Sequence, residues 1–230
     1  GEWKPIEVTG INHGTNGFYL PFKADYEVEG FSTNLYTGTG ATTGTYIGGI
    51  GFRPDLVWVK RRDGAKEWAV YHKDLTSSSY YLILNDTDAE SQNFNPFNYT
   101  APSSSVITLG NWGATNNNAE TYIAYLFATV AGVSKVGSFT QSGATNVDCG
   151  FTGDTPSFIL IKRADDSGSW LVWDSVRGII AGNDPTFKWE ASNEAQVTNT
   201  DYVDPYSGGF STTSNITNGD YIFYAIAAIS

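Results

Sequence analysis

The chain has 230 residues, only 16% of them charged, and a formal net charge of −11. Such an acidic surface repels nucleic acid and anionic membrane at long range, so no nucleic acid partner and no membrane insertion is expected. No apolar run reaches the roughly 20 residues of a membrane-spanning helix, and the single cysteine, Cys149, cannot form a disulfide within the chain.

Taken from the N-terminus, residues 1–30 read as a linker or the end of a preceding module, with a turn over Gly14–Gly17 before Phe18, Tyr19 and Leu20. The absence of methionine, even at position 1, fits a piece of a longer or processed polypeptide. The stretch Leu56–Arg61 begins with four apolar residues in succession, which predicts a strand covered on both faces. Pro54 stands just before it, where the missing N–H does no harm. A turn at Asp63 and Gly64 then leads to a second strand over Glu67–His72, giving a hairpin. Tyr80–Leu84 reads as a third strand, and Tyr122–Thr129 closes the unit.

The same series then returns. Gly51, Pro54, Leu56, Trp58, Lys60 and Arg61 reappear as Gly153, Pro156, Phe158, Leu160, Lys162 and Arg163, a shift of 102 positions (51 to 153). Trp68 and Val70 map onto Trp170 and Val172 by the same shift, strands follow over Thr186–Glu190 and Tyr221–Ile229, and Tyr122 and Tyr125 echo as Tyr221 and Tyr224. This period is too long for a solenoid and suits a small domain duplicated in tandem. The expected fold class is all-β: two tandem β-sandwich (jelly-roll-like) units of about 100 residues, over 31–130 and 131–230. The join near Ala131 is short, so the units are expected to pack together. Residues present in both copies serve the fold; function is to be sought among residues present in only one.

That rule disposes of several motifs. Zinc is ruled out by two histidines and one cysteine, and His72 aligns with Asp174, so it reads as an ordinary surface or strand-end residue. Asp86, Asp88 and Glu90 could gather around calcium, but a solvated acidic loop is the preferred reading. The glycines at 38, 40 and 44 form a turn rather than a phosphate loop. No nucleophile elbow exists, so no catalytic residue, metal ligand or cofactor is assigned. Lys60, Arg61 and Arg62 resemble a basic patch, yet Lys162 and Arg163 repeat it, which points to a structural carboxylate partner or a guarded strand edge. Trp68 and Trp170 belong to the core by the same reasoning.

Aromatics in the loops of one copy only include Phe94, Phe97 and Tyr99, then Trp112 in the stretch Gly110–Asn118, and Tyr202 with Tyr206 in the second copy. Rings beside Asn, Asp and Ser are what sugar recognition needs: the ring covers the apolar face of a pyranose while amides and carboxylates bond its hydroxyls. Phe97, Tyr99, Trp112, Tyr202 and Tyr206 are therefore the candidate glycan-binding residues. The alternative, rings folded inward to pin their own loops, stands at even weight.

The repeated block resembles virion proteins of tailed bacteriophages, many of them marine. The resemblance rests on Gly51–Arg61 and Gly153–Arg163, the tryptophan strands Glu67–Tyr71 and Ser169–Trp173, and the closing strands Thr121–Ala128 and Asp220–Ala227. Gly14–Leu20 is similar to the junction that often precedes such units. The resemblance implies a β-rich module of a tail fibre or related appendage on the virion exterior. It further implies bacterial surface polysaccharide and other virion subunits as partners, with the homotrimeric assembly common among such appendages, and it brings no catalytic motif. A capsid-decoration or fibre-spacer protein is the alternative, and a glycan depolymerase the third reading.

Overall fold

The computed structural model describes residues 29–228 other than 154 and 192, and every regular element among them is a β-strand. The linker expected over 1–30 lies outside the described residues except for a turn at Glu29 and Gly30. In the first half, β1 (Phe31–Thr37), β2 (Thr45–Gly48), β3 (Leu56–Arg61), β4 (Ala69–His72), β5 (Leu82–Ile83), β6 (Val106–Leu109) and β7 (Thr121–Phe127) follow one another. The second half contains β8 (Ser134–Gln141), β9 (Thr145–Asp148), β10 (Phe158–Arg163), β11 (Trp170–Asp174), β12 (Phe187–Lys188), β13 (Val203–Tyr206), β14 (Gly209–Thr212) and β15 (Gly219–Ile226).

All pairings between these strands are antiparallel. The first half forms a sheet in the order β1-β7-β3-β4-β5 and a ribbon β2-β6; the second forms β8-β15-β10-β11-β12 and a sheet β13-β14-β9. The two larger sheets thus have matching orders, with the hairpin of β3 and β4, or β10 and β11, beside the closing strand. The chain is all-β and belongs to the β-sandwich class.

Side-chain alternation along β3 and β10 explains the layering. Val57 and Val59, with Ala69, Tyr122 and Ala124, meet Ile47, Ile107 and Leu109 of the ribbon in one core. Ile159 and Ile161, with Trp173 and Phe223, meet Val147, Val203 and Phe210 in another. The opposite faces of these strands, with Leu56 and Trp58 in one half and Leu160 in the other, join a third core with Val70, Phe127, Trp170, Val172, Ile222 and Tyr224. The two larger sheets are therefore stacked on each other, and the described residues form four layers around three cores. The cover expected on both faces of β3 and β10 is present, and the second cover is the other half of the chain.

Polar groups close this seam. Trp170 Nε1 donates to the Ile83 carbonyl at 2.9 Å, Gly168 N to the Thr87 carbonyl at 2.8 Å, and Glu90 N to the Ala164 carbonyl at 2.9 Å. Lys162, fully buried, donates through Nζ to the carbonyls of Arg163 (2.7 Å) and Thr87 (3.2 Å). Burial pushes its ammonium down to about 8, against the opposing pull of Glu190, Asp88 and Asp86. The acidic loop is thus fixed over this lysine: Asp86 Oδ1 accepts from Thr87 N (2.6 Å) and Glu90 from Thr76 N (2.9 Å). Among the described residues no group of three or more His, Cys, Asp or Glu is placed to hold a metal ion.

The repeated arginines have the structural partners expected of them. Arg61 Nε donates to Asp63 at 2.7 Å and Arg163 Nε to Asp165 at 2.8 Å. Each pair tightens the turn that follows its strand, and the hydrogen bond from Arg61 holds the Asp63 carboxyl well below the usual carboxylate range. His72 requires a correction. It does end β4, but it is buried at the seam rather than at the surface, with Nε2 3.4 Å from the Phe223 carbonyl of the other half.

Candidate functional site

At one edge of the seam the two sheets leave a cavity of about 540 Å³ lined by Trp58, Trp68, Leu84, Asn85, Tyr125, Trp189 and Glu190. Its volume falls in the range of about 300–1,000 Å³ usual for small-ligand sites. Trp58 comes from β3 and Tyr125 from the facing position on β7, so the two lie side by side on one sheet. Trp68 directly precedes β4 and stacks on Tyr125 at 6.2 Å between centroids, 27° from parallel. The opposite wall is Trp189, which directly follows β12 and meets Trp58 at 5.9 Å. Phe127 backs Trp58 at 4.7 Å and holds its ring in place.

The backbone places the two walls in equivalent ways. Leu84 N donates to the Trp68 carbonyl (3.1 Å), and Trp189 N to the Trp170 carbonyl (2.8 Å). Trp68 N donates to Asn85 Oδ1 at 2.8 Å, and Trp170 N to Glu190 Oε2 at 3.0 Å. Leu84 and Trp189 therefore hold matching places, as do Asn85 and Glu190. Two of the tryptophans break the correspondence: Trp58 stands where the second half has Leu160, and Trp189 where the first half has Leu84. Asn85 Nδ2 and Glu190 Oε1 make no hydrogen bond among the described residues. The lining contains one carboxylate, one amide, three indoles and a phenol, and no cationic side chain.

The five residues expected to bind glycan are not brought together. Phe97 is 2% exposed, edge-on to Tyr71 at 5.9 Å inside the first-half core, and offers no face to a sugar. Trp112 is half-buried against that same core, stacked on Phe94 at 5.1 Å and tilted against Tyr81 at 5.3 Å. Tyr99 is 56% exposed, in the left-handed region at φ +53°, with its carbonyl accepting from Ser78 Oγ at 2.8 Å. Tyr202 packs on the second-half core, T-shaped to Trp173 at 6.2 Å, and half-buried Tyr206 ends β13. Phe97 and Trp112 are thus separated from Tyr202 by both central sheets.

The stretch Gly110–Asn118 is pinned rather than free. Thr115 and Asn116 are fully buried. Asn116 Oδ1 accepts from Thr39 N at 2.8 Å while its Nδ2 donates to the Ala41 carbonyl at 3.1 Å. Inward-folding rings pin their loops here, which is the alternative left open by composition.

A family model described as a domain of unknown function (DUF7483) matches residues 22–229. No curated protein and no solved structure matches the chain.

Proposed function

The chain belongs to this DUF7483 family, and we propose that it is an attachment module of a phage virion appendage that holds bacterial surface glycan in the groove lined by Trp58, Trp68, Tyr125 and Trp189. One observation carries this reading: three indoles and a phenol converge on one cavity that also offers an amide and a carboxylate. Aromatic faces cover the C–H face of a pyranose, and the polar pair meets its hydroxyls. The resemblance of the repeated strands to virion proteins supplies the setting, with other virion subunits as further partners on the virion exterior.

Trp189 is the residue to test because it is 46% exposed. Trp189→Ala is expected to weaken binding of the labelled protein to host cells by about 1–3 kcal/mol, taking the range for a nucleic-acid base stacked on an aromatic side chain as the guide. Its stability should fall by less than the ~3–5 kcal/mol of a fully buried ring, leaving the variant folded at the temperature of the binding assay. Binding should vanish when surface polysaccharide is stripped from the cells. Undiminished binding by the variant, or binding indifferent to stripping, would sink the proposal.

A second reading, a capsid-decoration or fibre-spacer protein, is favoured by a different surface. Val176 is 95% exposed and Ile180 52%, and nearby Phe187 lies exposed beneath the guanidinium of Arg177 at 4.1 Å. Apolar side chains gathered in this way mark subunit contacts more often than free surface. On that reading Val176→Asp with Ile180→Asp converts an oligomer, trimeric by analogy, into monomers in sedimentation; a monomeric parent protein would refute it. The depolymerase reading draws nothing from the groove, since hydrolysis by paired carboxylates needs two and Glu190 is the one that lines it.

A further inference from the structure

We infer that the groove selects neutral sugars, gripping two adjacent ring hydroxyls between Asn85 and Glu190 and turning away uronic, sialic and phosphorylated sugars. The inference rests on the glycan reading of the groove and names the class of ligand. It starts from the equivalence of the two walls. Asn85 and Glu190 each use one oxygen to accept from the backbone N–H of a tryptophan, Trp68 at 2.8 Å and Trp170 at 3.0 Å. Those bonds fix both side chains in the lining of the cavity and leave a donor, Asn85 Nδ2, and an acceptor, Glu190 Oε1. A hydroxyl both donates and accepts, so a vicinal diol satisfies the two groups together, one hydroxyl accepting from the amide and its neighbour donating to the carboxylate.

A carboxylate or phosphate on the sugar finds no such match. It would face Glu190 inside a partly enclosed site, on a protein of net charge −11. The lining has no Lys, Arg or His to offset it. The two lysines at this level of the strands are already engaged: buried Lys162 donates to the Arg163 and Thr87 carbonyls, and Lys60, two positions along β3 from Trp58, donates to the Lys66 carbonyl at 2.7 Å. Like-charge juxtaposition of this kind is how a site rejects a wrong partner of the right shape.

The test is a titration of tryptophan fluorescence with matched oligosaccharides, neutral (gluco-, manno- and galacto-) against acidic (galacturonate, glucuronate and sialylated). Neutral members are expected to bind at least about tenfold more tightly than any acidic one. Glu190→Gln keeps an oxygen for Trp170 N and removes the charge, so it should narrow that ratio by about tenfold. Asn85→Asp keeps the acceptor for Trp68 N and adds a second charge, so it should weaken neutral binding and abolish acidic binding; it serves as the control if Glu190→Gln melts early. Equal or tighter binding of acidic sugars, or a ratio unmoved by both variants, overturns this inference and leaves the glycan reading standing. Failure of every sugar to bind overturns both.

Discussion

Trp170→Ala is expected to lower the stability of the whole chain by about 3–5 kcal/mol, the cost usual for truncating a large buried ring. Against a total of about 5–15 kcal/mol for a typical domain, this removes a large share. Trp170 is 2% exposed in the core between the two larger sheets, and its indole N–H donates to Ile83 of the other half. Truncation therefore opens a cavity at the seam and removes the indole's hydrogen bond to the Ile83 carbonyl, which still accepts from Asp86 N at 3.3 Å. Because the middle core draws Leu56, Trp58 and Val70 from one half and Leu160 and Val172 from the other, both halves should melt together. Urea unfolding followed by near-ultraviolet circular dichroism and by backbone signal should move to lower concentration as one transition. A first half that keeps its own undisturbed transition would show that the seam is not shared stability. Trp170→Phe, which keeps most of the ring and loses the N–H, should cost less than half as much.

That seam marks the boundary of what the residues announce. Four apolar residues in succession at the start of β3 require cover on both faces, and cover is there. They do not say what provides it, since Trp58 facing another half of the same chain and Trp58 facing its own sandwich demand the same hydrophobicity. Phe97 failed for the opposite reason. Its neighbours Asn95, Pro96 and Asn98 give it the surroundings of an exposed loop, and only the tertiary approach of Tyr71 shows that the ring is core. His72 likewise lay opposite Asp174 in the repeat, yet Asp174 accepts from Arg177 at 2.6 Å while His72 is sealed against Phe223.

The groove was legible in principle. A tryptophan opposite Leu160 already distinguishes Trp58 from a residue kept by both copies. Trp189 escaped because the connection from β11 to β12 is longer than that from β4 to β5. The third strands align at a shift of 105 (82 to 187), not 102, and an ungapped comparison sets Trp189 against Thr87 instead of Leu84. Allowing that insertion puts both unmatched indoles on the list, and their meeting at 5.9 Å follows from the stacking of the sheets.

The second large effect is expected from acid. His72 accepts from Asp74 N at its Nδ1 (3.2 Å), so the proton sits on Nε2, which points at the Phe223 carbonyl across the seam. Burial pushes its imidazolium down to about 4 from the ordinary 6.5, outweighing the nearby charges of Asp74 and Asp55, while Lys73 adds to the depression. The folded state therefore holds this ring neutral at pH values where the unfolded chain has already protonated it. Its contribution to stability is complete above about pH 6.5, is lost as pH falls from there to about 4, and levels off below, when the folded form protonates as well. The span corresponds to about 3 kcal/mol. The carboxylates held low by partners, Asp63, Asp165 and Asp174, lose their contributions only below their ordinary 3.8, outside this window. Asp184 and Asp201 are shifted upward, mainly by burial, and act in the opposite sense. The clean measurement is thus a difference: stability against pH for the parent and for His72→Gln, whose amide can keep a donor toward Phe223. The parent should lose stability between pH 6.5 and 4 that the variant does not, whatever the variant's stability at neutral pH. Parallel curves would mean that water reaches the ring. The groove stands on the same seam, with one wall from each half, so acid that loosens the contact at His72 should also weaken glycan binding, and His72→Gln should restore it.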